Sequence, residues 1–94
     1  MKIDGFEWDA GNREKCQSHG VPLADIEALF SRPHLIAPDV KHSHDEQRYV
    51  AIGRSLGERP LFVVFTTRQD GDDLLVRPIS ARYMHAKEFK RYER

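Results

Sequence analysis

One cysteine, Cys16, stands in the 94 residues, so no disulfide can form within the chain and a packed core must hold the fold. No window is long and apolar enough to span a bilayer. The opening stretch MKIDGFEWDA lacks the apolar run of a signal peptide, and together these absences lead us to expect a cytoplasmic protein. Net charge is absent too. Fifteen Lys and Arg balance fifteen Asp and Glu, and composition alone therefore gives no reason to expect a nucleic-acid partner. Neither a glycine-rich phosphate loop nor a serine-centred nucleophile elbow is found. With 39% hydrophobic residues, a chain of this length can bury one modest core, and residues 1–94 are expected to form a single domain.

The charge that is present is unevenly spread, with acids favoured from Met1 to Ser31 and bases from Val76 to Arg94. DGFEWD suits a short first strand over Gly5 to Trp8. A short helix follows, with Asp9 or Asn12 as its N-cap and Gly20 just past its end. Pro22 then opens a second helix, on which Leu23, Ile26, Leu29 and Phe30 recur at helical spacing, and Pro33 stops it. HLIAPDV, interrupted by Pro38, reads as a brief edge strand. QRYVAIGRS alternates, with Arg48, Val50, Ile52 and Arg54 on one side and Tyr49, Ala51, Gly53 and Ser55 on the other. LFVVFTT is apolar throughout, the pattern of a central strand covered on both faces, and QDGDD turns it into LLVRPIS. HAKEFKRYER closes the chain as a helix with Ala86, Phe89 and Tyr92 along one side. The order implies an α+β fold: a small antiparallel sheet with two N-terminal helices and one C-terminal helix.

Two arginines in the last strand break this simple pattern. By strict alternation Arg77 shares a face with Leu75 and Ile79, whereas Arg82 shares one with Val76 and Ser80. Either one guanidinium points into apolar surroundings or Pro78 introduces a bulge that changes the parity. A guanidinium keeps its proton, so it needs a carboxylate from the protein or a phosphate from outside. Antiparallel neighbours would gather Arg48, Arg68 and Arg82 onto one concave face able to clamp a phosphodiester, unless all three make ordinary surface pairs with nearby acids. The remaining polar residues read more simply. HSHDE resembles a metal cluster only in its alternate histidines, and a polar loop explains it better. His19 fits a helix-end cap, Cys16 a packing residue and Trp8 a core anchor.

FEWD, HGV, Glu46 with Arg48, GRS, GERPLFVVFTTR and finally RPISARYM with Glu88 and Tyr92 resemble the BrnT toxins of bacterial two-component toxin–antitoxin systems. Nearly the whole chain is covered. The resemblance implies a RelE-like fold, a ribonuclease that needs no metal or other cofactor, and growth arrest relieved by a BrnA-type antitoxin resembling ribbon-helix-helix repressors. Operator DNA would be bound only through that antitoxin. Carried over residue by residue, the implied catalytic set is His19, Glu46, Arg48, Arg68 and Arg82, and the implied RNA-binding set is Trp8, Lys15, Thr66 and Arg77. In such a site Glu46 or His19 takes the proton of the RNA 2′-hydroxyl and Arg68 and Arg82 stabilise the phosphorane. Arg48 orients Glu46 or assists the clamp. Ser18 and Pro22 stand where many relatives carry lysine and Ser or Thr, which implies weaker attraction for RNA. The alternative is a binding module of the same fold that acts with a DNA-binding antitoxin as a repressor complex.

Overall fold

Residues 60–70 carry side chains that want burial on both faces of a sheet, and in a computed structural model that describes residues 1–93 they form its middle strand. The elements in chain order are β1 (Gly5–Phe6), α1 (Ala10–Gln17), α2 (Leu23–Leu29), β2 (His34–Pro38), a 3₁₀ turn (Val40–His42), β3 (Tyr49–Arg54), β4 (Pro60–Asp70), β5 (Asp73–Tyr83) and α3 (Ala86–Lys90). In space the sheet runs β1-β5-β4-β3-β2, with β2 on one edge as its prolines require and β4 at the centre. This is the expected α+β class.

Three expectations need correction. The sheet is mixed rather than antiparallel, because β1 lies parallel to β5, with Gly5 beside Leu75 and Phe6 beside Val76. Backbone bonds from Asp4 N to the Leu74 carbonyl (2.8 Å) and from Glu7 N to the Val76 carbonyl (2.9 Å) hold it there. A strand this short has no periodicity from which its direction could be read. It also stops at Phe6, short of Trp8, because Asp9 turns the chain into α1. Finally, α3 ends at Lys90, so Tyr92 lies beyond it and is 40% exposed.

Both faces of the sheet are apolar, but they are covered unequally. On the first face α1 and α2 deliver Cys16, Ile26 and Leu29, with Val21 between them, onto Ala51, Leu61, Val63, Phe65, Val76 and Ala81. Burial pushes the Cys16 thiol up to about 11, so the side chain stays neutral and acts as a small apolar group. On the second face Phe89 of α3 meets Ile52 and Met84, and Val50 and Phe62 pack against them. Since α3 is only five residues long, it covers one end of that face and leaves the rest open. Two turns depend on glycine. Gly20 (φ +82°) reverses the chain after α1 and Gly71 (φ +60°) sits in the β4–β5 hairpin, both in the left-handed region that a side chain disfavours.

The parity problem in β5 is resolved by a bulge directly after Pro78. Val64 pairs with Ser80 but Phe65 with Pro78, which leaves Ile79 without a partner. Val76 and Pro78 face the first core before the bulge, and Ala81 and Tyr83 do so after it. Arg77, Ser80 and Arg82 consequently all lie on the second face, and neither arginine enters the core.

Asn12 fixes the β1–α1 corner against this bulge. Its Nδ2 donates to the carbonyls of Glu7 (3.0 Å) and Pro78 (2.9 Å). Its Oδ1 accepts from Asp9 N (2.7 Å), while its own N donates to Asp9 Oδ1 (3.0 Å) in a reciprocal cap. The amide is thus fully used in a buried position. Asn12→Ala is expected to cost about 1–3 kcal/mol in urea denaturation, because it strands buried carbonyls. A loss below that range would mean that water replaces the amide.

Candidate active site

The second face of the sheet carries a line of alternating charges at the end that α3 leaves open. Arg77 Nη2 reaches Asp9 Oδ2 at 2.7 Å and its Nη1 reaches Glu7 Oε1 at 3.2 Å. The same Glu7 oxygen lies 3.5 Å from Arg68 Nε, and Arg68 Nη1 lies 3.5 Å from Glu46 Oε2. Glu46 Oε1 is 3.6 Å from Arg48 Nε. The local geometry explains why the chain converges here. Glu7 follows β1 beside β5, Arg77 sits before the bulge, Arg68 lies near the hairpin end of β4, and Glu46 and Arg48 lead into β3.

Asp9, Glu46, Arg48, Arg68 and Arg77 line an open cleft of ≈ 340 Å³ together with Asn12, Lys15, Pro78 and Ile79. The loop that brings Glu46 is stapled from beneath. Thr66, only 3% exposed, donates from Oγ1 to the Gln47 carbonyl at 2.8 Å. Ser43 Oγ accepts from Arg48 N at 2.9 Å and donates to the Asp39 carbonyl at 2.6 Å. On the far side of Glu46 and Arg48, an adjoining cavity of ≈ 250 Å³ is lined by His42, His44 and Asp45. His42 pairs with Asp39 at 3.0 Å. Among the described residues no group of His, Cys, Asp and Glu has the geometry of a metal site.

The cleft is electrostatically committed. Asp9 is held below the ordinary carboxylate range first by the Asn12 backbone N–H and then by Arg77, and Arg77 is pushed further up by the same carboxylate. Arg48 is the exception. Its Nε is buried and has no hydrogen-bond partner among the described residues, since the nearest Glu46 oxygen is too distant to accept well.

Arg82 occupies a different place on the same face. It makes a two-pronged pair with Glu88, Nη1 to Oε1 and Nη2 to Oε2, both at 2.9 Å, and its guanidinium lies 4.4 Å over the Phe62 ring. Arg82 holds the Glu88 carboxyl below its usual value, as the Asn12 cap and Arg77 do for Asp9. A carboxylate depressed in the folded state adds stability at neutral pH, and that contribution is lost as pH falls through the lower, folded value. Asp9→Asn and Glu88→Gln should therefore each remove part of the loss of stability seen below about pH 4 in a pH series of urea melts. An acid limb identical to the parent's in both variants would contradict these assignments.

The structure thus brings together Lys15, Glu46, Arg48, Arg68 and Arg77 of the expected residues, with Thr66 beneath them. It sets three apart. Trp8 packs on the first core and donates Nε1–H to Glu27 Oε2 at 2.8 Å. His19 is exposed beyond the end of α1 and lines none of these cavities. Arg82 lies toward α3. Sequence reasoning passed over Glu7 and Asp9 as partners of the arginines, although the acidic N-terminal third facing a basic C-terminal fifth was a signal for them.

Comparison with known proteins adds one match. A family model described as the ribonuclease toxin BrnT of type II toxin–antitoxin systems matches residues 8–88, a span that holds every residue lining the cleft but not Glu7 beside it. No curated protein matches the chain.

Proposed function

Because the chain belongs to the BrnT family of ribonuclease toxins of type II toxin–antitoxin systems, we propose that its arginine cleft cleaves RNA through the RNA's own 2′-hydroxyl, without a metal ion. The observation that carries this reading is the meeting of Arg48 and Arg68 at Glu46 in a cleft that Arg77 also lines, with one buried donor, Arg48 Nε, left over among the described residues. An orphan guanidinium donor in a cleft calls for an acceptor, and a phosphate oxygen is the acceptor that arginine fits best.

In the proposed reaction Glu46 accepts the proton of the 2′-hydroxyl, whose oxygen attacks phosphorus. The bond to the 5′-oxygen breaks, leaving a 2′,3′-cyclic phosphate and a 5′-hydroxyl. Arg48 and Arg68 face the charge that builds on the phosphorane. Guanidinium groups do not release their protons, so the leaving oxygen takes its proton from Lys15, the ammonium that lines the cleft. The antitoxin that the family implies would be of the BrnA type, in a ribbon-helix-helix pair that binds operator DNA, and unopposed expression would arrest growth in the cytoplasm.

A second reading draws on the charge balance. Glu7, Asp9 and Glu46 face the same arginines, so the cleft is nearly neutral, as a protein-binding module without catalysis would tolerate. Incubating the full chain with RNA in EDTA, beside Arg68→Ala checked by circular dichroism, separates the two. Cleavage by the parent and not by the folded variant supports the ribonuclease. Intact RNA with a well-folded parent supports the binding module.

A further inference from the structure

Arg82 has a pattern of partners that ordinary surface arginines lack. Glu88 takes one N–H from each terminal nitrogen, and the guanidinium has five N–H donors in all. The Nε–H and its neighbouring Nη–H form a second fork, for which no hydrogen bond is found among the described residues. Phe62 supports the plane from below, and α3 supplies Glu88 from one side. The guanidinium is therefore fixed in place with one recognition edge free.

Its distance from the cleft is set by the sheet. Arg77 stands opposite Thr66 and Arg82 opposite Phe62, four residues apart along β4, so the two backbones are separated by about 13 Å at the usual strand rise. Arg68 lies six residues from Phe62, or about 20 Å. Their partners also hold the arginines toward opposite ends, Arg77 toward Glu7 and Asp9 and Arg82 toward Glu88. One phosphate group cannot bridge them. Between the two places the second face presents Val50, Val64 and Ser80, which α3 leaves half-buried. A single RNA strand laid over this floor would bring a different phosphate to each end.

We propose that Arg82 is a second phosphate subsite, separate from the cleft, so that the second face of the sheet holds a single-stranded RNA segment with at least two phosphodiesters. The inference deepens the ribonuclease reading and rests on it for the identity of the ligand. Free phosphate would not satisfy it, since affinity must grow with the length of the chain that links the two sites.

The test is binding rather than cleavage. Fluorescein-labelled 2′-O-methyl oligonucleotides of two, four and six nucleotides cannot be cut through the 2′-hydroxyl, and their affinity for the full chain is measured by anisotropy across a salt series. Parent protein is expected to bind the hexamer much more tightly than the dinucleotide. Arg82→Ala should bind the hexamer about tenfold more weakly, with a salt slope shallower by about 0.7, the loss of one phosphate contact on a single strand. The dinucleotide, held in the cleft, should bind parent and variant alike. An equal loss at every length would return Arg82 to the cleft and overturn the subsite, as would no loss at any length. Arg82→Lys keeps the charge and should restore most of the salt slope; a lysine variant as weak as alanine would make the arginine structural. Should Arg82→Ala fail to fold, the same comparison with Glu88→Gln decides. Freeing both edges of Arg82 should tighten the hexamer alone, and no length-dependent change would overturn the subsite. A protein that cuts no RNA yet shows this length dependence would refute the ribonuclease reading and keep the subsite.

Discussion

Arg68→Ala is expected to lower the rate of RNA cleavage by about 10²–10³-fold, the usual cost of removing one donor aimed at a developing oxyanion. The size follows from its position. Arg68 is paired with Glu46 through Nη1 and with Glu7 through Nε, so in the proposed reaction its removal would delete a charge facing the phosphorane and free the carboxylate proposed to take the 2′-proton. The fold should survive. Arg68 sits near the solvent end of β4 and its ion pairs are long and half-exposed, contacts that contribute little to stability. A melting temperature within a few degrees of the parent, together with the lost rate, is the expected pair of results. Arg68→Lys should recover only part of the activity, because an ammonium cannot serve two carboxylates and a phosphate along one plane. Full activity in Arg68→Ala would remove the cleft from the reaction.

The largest expected loss of stability belongs to Phe65. It is fully buried at the centre of β4, edge-on to Phe30 at 5.2 Å between ring centres and stacked on Tyr49 at 5.4 Å. Phe30 carries the packing onward to Phe6 at 5.6 Å and to the His34 ring at 5.5 Å. Phe65→Ala removes the aromatic partner that joins the α2 end, β2 and β3 to the central strand. The expected cost is about 3–5 kcal/mol, transfer and cavity combined. For a domain of this size each kcal/mol moves the melting temperature by about 4–8 °C, so calorimetry should show a fall of roughly 12–40 °C. Phe65→Leu should lose much less. A small effect of the alanine variant would mean that α2 settles into the space, and a crystal structure of the variant would show the shift.

Much of this architecture was legible because its signals are local and repeated. The apolar run of β4, the alternation of β3, the Asp-Gly turn and the proline-bounded β2 each follow from side-chain pattern alone. The direction of β1 was not, since two residues have no period and their partner lies some seventy positions away. The length of α3 was misjudged for another reason. Phe89 satisfies the apolar face of that helix on its own, and Tyr92, at the next helical position, falls beyond the end.

The site was readable in its residue types but not in its grouping. Arg48, Arg68 and Arg82 do share a face, Arg82 by virtue of the bulge after Pro78, yet spacing along an extended strand grows quickly and Arg82 ends up beside α3. Arg77, whose guanidinium needed a carboxylate or a phosphate, pairs with two carboxylates and also lines the cleft. Its partners Glu7 and Asp9 precede it by about seventy residues, and only the pairing of β1 with β5 brings them alongside.

The unpaired Ile79 also bears on how this chain can change over generations. Point substitutions in β5 alter one side chain, whereas losing the Ile79 codon would remove the bulge, restore strict alternation and leave every residue downstream on the face it now occupies. Arg82 would stay beside Glu88 and Ala81 in the core, whereas a codon lost within β3, which pairs without a spare residue, would exchange the faces of part of that strand. A complete single-codon deletion scan should therefore show Ile79 as a tolerated position, in contrast to the positions of β3.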